Sequence, residues 1–261
     1  MMAKLNYYWR IIATGWCFLS FGMGGLLLTL IVFPIVNLSV KNKTSRQLIA
    51  QKIIHRSFRF FIRQMIVLGV MKVTLKNIER LSKNGGQLIL ASHPTLIDVV
   101  LLISLLPKTD CIVKQQLFNN LFLGGVVSAA GYISNSNDPE KLIEDCKTIL
   151  QKNHSLIVFP EGTRSEPHKD LKLQRGSARI ALHAQKNITP VTITCTPPAL
   201  TKGTPWYKVP ERTFHIELNV GEDIDIHPFL SPDVAESKQA RQLTQYLKHH
   251  YTEEMTHYEL A

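Results

Sequence analysis

The sequence predicts an α/β fold: a mixed, largely parallel sheet flanked by helices, preceded by an N-terminal membrane helix and an amphipathic basic helix. Three observations carry this. From Lys72 onward short apolar runs alternate with stretches of helical period. Residues 11–36 contain no charged side chain, and cations then recur at helical spacing. A length of 261 residues suits one good-sized domain with an appendage. The expected division is 1–44 for a membrane anchor, 45–71 for an interfacial helix and 72–261 for the α/β domain.

The anchor comes first. Its 26 uncharged residues would extend about 39 Å as a helix at roughly 1.5 Å per residue. A bilayer core is about 30 Å thick. A signal peptide would have an apolar region of about 7–15 residues ending in small side chains. Here the run ends in Pro34, Ile35 and Val36, which favours an uncleaved anchor. Gly24, Gly25 and Pro34 leave room for a bend, so a tilted span and a re-entrant hairpin both fit. Tyr7, Tyr8 and Trp9 stand where interfacial aromatics belong. Only Lys4 and Arg10 precede the run, whereas Lys41, Lys43, Arg46 and four further cations follow it. The positive-inside tendency then puts the bulk of the chain on the cytoplasmic side.

In the next segment Lys52, Arg56, Arg59 and Arg63 are spaced 4, 3 and 4 apart, one stripe of a helix. Ile54, Phe58, Phe61, Met65 and Leu68 fall opposite. This suits a helix lying at a lipid surface, where each cation contributes about 1 kcal/mol beside an anionic leaflet. It suits equally a helix whose apolar face covers the domain core while its cations are solvated.

Beyond Lys72, strands are expected at 73–75, 87–91, 111–113, 132–133, 155–159, 191–195 and 214–220. Helices are expected at 96–106, 118–130, 139–151, 176–184 and 232–251. Residues 196–210 hold four prolines and a glycine and read as a long loop, with Trp206 and Tyr207 suggesting a lid or a membrane contact.

Composition narrows the partners. Thirty Lys and Arg against 20 Asp and Glu give a net charge of +10, with 45% hydrophobic residues and a mean hydropathy of +0.01. Disorder is excluded, because it requires low hydrophobicity beside high charge. Cys17, Cys111, Cys146 and Cys195 lie far apart, without CxxC or zinc spacing, which argues against a disulfide scaffold or structural metal. The charge suits an anionic surface, membrane or nucleic acid. Nucleic acid is set aside, because the cations gather beside the apolar segment and no aromatic-basic platform accompanies them.

The chemistry is expected where strands end. His93, after an apolar strand, is followed by Pro94, Thr95 and, five positions on, Asp98 in the first turn of a helix. A carboxylate there would fix the imidazole tautomer and raise its basicity. Thr95-x-x-Asp98 also matches a capping box, in which Asp98 would bind backbone N–H groups instead. A second motif, Phe159-Pro160-Glu161-Gly162-Thr163-Arg164-Ser165, follows another strand and offers a guanidinium to phosphate or carboxylate. Lys114 and Asn135 end two further strands. In open α/β sheets ligands bind outside the carboxyl ends of strands, so the four positions are expected to converge.

With HPTLID, then FPEGTRS, then Pro190-Val191, the region from about 88 to 220 resembles the glycerolipid acyltransferase family typified by lysophosphatidic acid acyltransferases. The resemblance implies direct acyl transfer without a covalent acyl-enzyme. His93, oriented by Asp98, would deprotonate an acceptor hydroxyl that attacks the thioester of acyl-CoA or acyl-carrier protein. Glu161, Gly162, Thr163 and Arg164 match the family's acceptor-binding motif, and no metal or organic cofactor is implied. At one place the chain departs from the family. Asn135 stands where the phosphatidate branch usually carries an Arg, with Lys114 or Arg175 as the available replacements. A lysolipid acceptor other than lysophosphatidate is therefore the rival within the same chemistry. A catalytically silent lipid-binding scaffold is a distant third, disfavoured by the presence of both His93 and Asp98.

Overall fold

The computed structural model describes residues 2–81, 86–135, 138–166 and 170–259. The chain opens with α1 (Met2–Leu27), passes through one π-helical turn (Leu28–Val32) and continues as α2 (Phe33–Ser39). Pro34 has no N–H to bond the carbonyl four residues back, and the ladder widens in the turn before it, where Phe33 N bonds Leu28 O. The helix α3 (Lys43–Val67) starts at Asn42, whose side chain accepts from Ser45 N at 2.9 Å. It stops before Gly69, which takes the left-handed conformation (φ +72) while Val70 N bonds Met65 O. The sequence pattern placed its end four residues too late for that reason.

Seven strands follow: β1 (Met71–Lys76), β2 (Leu88–Ala91), β3 (Thr109–Lys114), β4 (Ile133–Asn135), β5 (Ser155–Val158), β6 (Ile188–Thr196) and β7 (Phe214–Val220). Between and after them lie α4 (Asp98–Leu105), α5 (Gly124–Ala130), α6 (Pro139–Gln151), α7 (Arg175–Ala184) and α8 (Glu236–Glu259). The sheet order is β1-β7-β6-β2-β5-β3-β4. Only β6 and β7 pair antiparallel, so β6, β2, β5, β3 and β4 point one way and share a carboxyl edge. This is the mixed, largely parallel sheet that the sequence predicts.

Each strand of the centre is buried on both faces. Ile89 and Ala91 belong to a core shared with α3 and α4, while Leu88 and Leu90 belong to one shared with α6, α7 and α8. Alternate residues point to opposite faces of a sheet, so β2 joins two apolar layers. The face of α3 that carries Ile54, Phe61 and Met65 lies in the first of these cores. Its apolar stripe is therefore covered by protein, while Lys52, Arg56, Arg59 and Arg63 stay exposed.

Two expected helices differ in the structure. The stretch expected as helix 118–130 breaks into a 3-10 turn (Gln115–Asn119) and α5, because the Asn120 side chain accepts from Phe122 N and Leu123 N and starts a new helix. The last helix begins at Glu236, four residues late, and runs on to Glu259.

Candidate active site

The site grows from the carboxyl end of β2. Ser92 is buried and holds the strand end to β6: its N–H donates to Val191 O, and its hydroxyl donates to Ile193 O and accepts from Ile193 N. Its oxygen thus serves the sheet. His93 comes next, its backbone fixed from both sides. Its N–H donates to Glu161 Oε1 at 2.8 Å, and its carbonyl accepts from Ser165 N at 2.8 Å. The loops after β2 and β5 are thereby joined before any side-chain contact is counted.

His93 Nδ1 lies 2.9 Å from Asp98 Oδ2, and the imidazole rests against the Phe159 ring at 4.2 Å between centroids. The carboxylate can only accept, so Nδ1 carries the proton and Nε2 is left as the basic nitrogen. Among the described residues Nε2 has no protein partner. The His93 side chain is 16% exposed and that of Asp98 0%.

Asp98 also bonds the turn that leads into α4, without capping that helix, whose N-cap position is Ile97. Its Oδ2 accepts from Thr95 N at 2.7 Å and its Oδ1 from the Thr95 hydroxyl at 2.5 Å. Asp98 therefore holds both the imidazole and the Thr95 N–H, because two oxygens offer enough lone pairs for all three donors. The capping box itself does not form, since the Thr95 hydroxyl donates to Asp98 instead of accepting from its N–H. Burial pushes the Asp98 carboxyl above its ordinary range, and the bonds from His93 and Thr95 oppose that shift.

The loop after β5 turns at Gly162, which adopts φ +70 and bonds Phe159 O, while Gln174 N bonds Pro160 O. Glu161 faces inward and is only 7% exposed. Burial raises its carboxyl, against the bonds from the His93 backbone and the Ser165 side chain. Arg164 is half-buried. Its Nη1 donates to Leu200 O at 3.0 Å and Thr201 O at 3.1 Å, both in the loop 197–213 between β6 and β7. Its Nε and Nη2 have no partner among the described residues.

The expected convergence is only partly side by side. β5 lies directly beside β2, so Glu161 and Arg164 adjoin His93. Lys114 and Asn135 pair in register at the ends of β3 and β4, both exposed. They stand two and three strands from β2, about 10–15 Å along the edge at roughly 4.8 Å per strand. Thr163 is half-buried between Gly162 and Arg164. Arg175 opens α7 and lines a separate recess of about 900 Å³ between α6, α7 and α8, whose lining includes Gln174, the residue that bonds Pro160 O. No three His, Cys, Asp or Glu side chains among the described residues are grouped to hold a metal ion.

The sequence pattern missed five supports. Thr95, Phe159 and Ser165 lie within the two motifs but carry no catalytic signature of their own. The carbonyls of Leu200 and Thr201 leave no trace in composition at all, since every residue has one.

A family model described as Acyltransferase matches residues 72–194. A 1-acyl-sn-glycerol-3-phosphate acyltransferase from Helicobacter pylori is 30% identical over 184 residues, which cover 67% of this chain and 75% of that protein. The chain belongs to the acyltransferase family. A 1-acyl-sn-glycerol-3-phosphate acyltransferase from Cocos nucifera is 33% identical over 119 residues, 43% of this chain and 39% of that protein. The acyltransferase fold itself is shared with the crystal structure of the 1-acyl-sn-glycerophosphate acyltransferase from Thermotoga maritima. That likeness has a TM-score of 0.68 at 20% identity and covers 95% of this chain and 98% of the other. The acyltransferase match takes in both β2 and β5 with the loops that follow them, so the His93 and Arg164 loops fall inside the part that defines the family.

Proposed function

We propose that this acyltransferase moves an acyl chain from a thioester donor, acyl-CoA or acyl-carrier protein, to the hydroxyl of a lysophosphatidate at a membrane surface, giving phosphatidate. The observation that carries the reading is His93: one ring nitrogen is tied to buried Asp98, and the other, beside the Arg164 loop, has no partner among the described residues. Nε2 takes the proton from the acceptor hydroxyl as that oxygen bonds the thioester carbonyl. The tetrahedral adduct collapses, the C–S bond breaks, and the imidazolium returns its proton to the departing thiolate. Asp98 holds the ring in place and stabilises the imidazolium that forms. Arg164 offers Nε and Nη2 to the acceptor phosphate, while buried Glu161 fixes the backbone of His93. The names of the relatives in Helicobacter pylori and Cocos nucifera support the acceptor.

The geometry of α1 supports a monotopic anchor. Leu5, Tyr8, Ile12, Trp16, Leu19 and Met23 form an exposed apolar face. The opposite face, with Arg10, Ala13, Thr14 and Cys17, is buried in the protein, and Arg10 Nη2 donates to Pro210 O and Glu211 O. At the margins of the exposed stripe Trp9 Nε1 donates to Leu68 O and the Ser20 hydroxyl to Gln64. A helix crossing alone would expose its whole circumference to lipid. One apolar face and one clamped face suit burial in a single leaflet, with the cations of α3 at the headgroups.

Asn135 favours a second reading of the acceptor. Lys114 beside it supplies one cation where an Arg would have made two, which suits a lysolipid with a different head group. The deciding experiment offers purified, detergent-solubilised full chain both donors against a panel of lysolipids and non-phosphorylated alcohols, beside His93→Ala. Transfer to lysophosphatidate that falls about 10³-fold in His93→Ala is expected. Transfer to another acceptor alone would replace lysophosphatidate, and full activity in His93→Ala would remove the base.

A further inference from the structure

The loop 197–213 has one end in the active site and the other on the N-terminal helix. At the active-site end, Leu200 O accepts both Leu96 N at 3.1 Å and Arg164 Nη1 at 3.0 Å. One carbonyl thus ties together the His93–Asp98 turn and the Arg164 loop. Thr201 O takes a second bond from the same Nη1. Leu200 adopts φ +53, a left-handed conformation uncommon for a side chain of its kind, with its side chain buried in the core. That conformation turns its carbonyl to the two donors.

The other end grips α1. The Trp206 ring covers Gly15, where a Cβ would stand 3.1 Å from the ring, and packs 6.3 Å from Phe18. Tyr207 meets Trp206 edge-on at 5.7 Å. Arg10, on the buried face of α1, donates Nη2 to Pro210 O and Glu211 O. Between Thr201 and Trp206 the chain is short and doubly braced, by the Thr201–Thr204 hydroxyl pair and by Thr204 N, which donates to Thr201 O. The turn that follows is closed by Lys208 N on Pro205 O.

We infer that this loop is a strap that sets the pose of Arg164 from the far end, with Trp206 as its positioning residue. The inference rests on the reading of Arg164 as the phosphate ligand. A guanidinium is a planar fork, so fixing Nη1 on two carbonyls fixes the directions of Nε and Nη2. Misplacing a binding group by about 1 Å can cost on the order of 10²-fold. Trp206 touches α1 and lies outside the Arg164 bonds, so its influence passes through the carbonyls of Leu200 and Thr201. The acceptor site is then complete only when α1 is docked.

The test is a double-mutant cycle on the full-length enzyme with a short-chain, monomeric lysophosphatidate, which removes partitioning into a surface from the readout. Trp206→Ala is expected to raise KM about tenfold with kcat within about twofold of the parent. Arg164→Ala raises KM by at least as much, and the double variant is no worse than Arg164→Ala alone, because the strap has nothing left to position. Trp206→Phe, which keeps a ring over Gly15, restores most of the loss. Should Trp206→Ala fail to fold in a thermal melt, Gly15→Ala is carried through the same cycle, since its methyl would crowd the ring. An unchanged KM, or losses that add in full, would overturn the strap. An inactive parent, or Arg164→Ala with an unchanged KM, would instead defeat the reading of the site on which it rests.

Discussion

Two histidine–carboxylate pairs stand on this one sheet, nearly alike in geometry. His93 Nδ1 lies 2.9 Å from Asp98 Oδ2, and His154 Nδ1 lies 2.7 Å from Asp110 Oδ2. Both histidine side chains are 16% exposed. They differ in which end of the parallel strands they occupy. His93 follows β2 at the carboxyl edge, where loops diverge and leave a crevice. His154 precedes β5 and Asp110 is the second residue of β3, at the amino edge. There the second oxygen of Asp110 accepts from Gln51 Nε2, which also donates to Ala130 O. That pair ties α3, α5 and α6 to the sheet. Under the proposed function, the first pair is a site and the second a clasp, according to their neighbours.

The largest test of this contrast exchanges one oxygen for nitrogen in each pair. Asp98→Asn is expected to lower kcat on the order of 10³-fold, because the amide no longer enforces Nε2 as the base. Asp110→Asn should leave kcat nearly intact. Comparable losses of kcat in both would erase the distinction.

Next in size is stability. His154→Ala removes a hydrogen bond to a charged group and leaves Asp110 with less than its full set, at a cost of about 2 kcal/mol. His93→Ala should cost less, since the Thr95 bonds still satisfy Asp98. Urea unfolding in detergent of constant composition measures both. The contrast weakens if the two losses are equal.

The smallest effect is a pH slope. Burial holds the Glu161 carboxyl above its ordinary 4.5. The folded state therefore binds this proton more tightly than the unfolded chain. The stability it contributes is full below about pH 4.5 and is lost as pH rises through the raised value. Glu161→Gln removes that loss yet keeps an oxygen for His93 N–H. Stability between pH 4 and 7 should fall less steeply in the variant, with the residual slope coming from Asp98, whose shift has the same sign. An unaltered slope would place the titration elsewhere.

Much of this was legible in the residues. The strands were readable because a sheet buried on both faces leaves short, nearly unbroken apolar runs such as Leu88–Ala91 and Ser155–Val158. The stops were less so. Gly69 and Asn120 act through one torsion and one side-chain oxygen, which a periodicity reading does not weigh.

The motifs at His93 and Arg164 declared themselves by residue type, because a base, an acid and a guanidinium are properties of side chains. The sequence by itself determined the alternation of elements, the apolar N-terminal helix, the basic stripe of α3 and the side-chain types of the candidate site, each of which depends on covalent chemistry and local period. Only the tertiary structure decided that β5 inserts between β2 and β3, bringing Glu161 to the backbone of His93 and holding Lys114 and Asn135 farther along the edge. It alone decided that Asp98 holds both the Thr95 turn and the imidazole, that α1 is clamped along one face, and that Arg164 is gripped by backbone carbonyls thirty-six and thirty-seven residues away. Strand order and carbonyl direction follow from how the whole chain packs, and a carbonyl is the same in every residue until the fold points it.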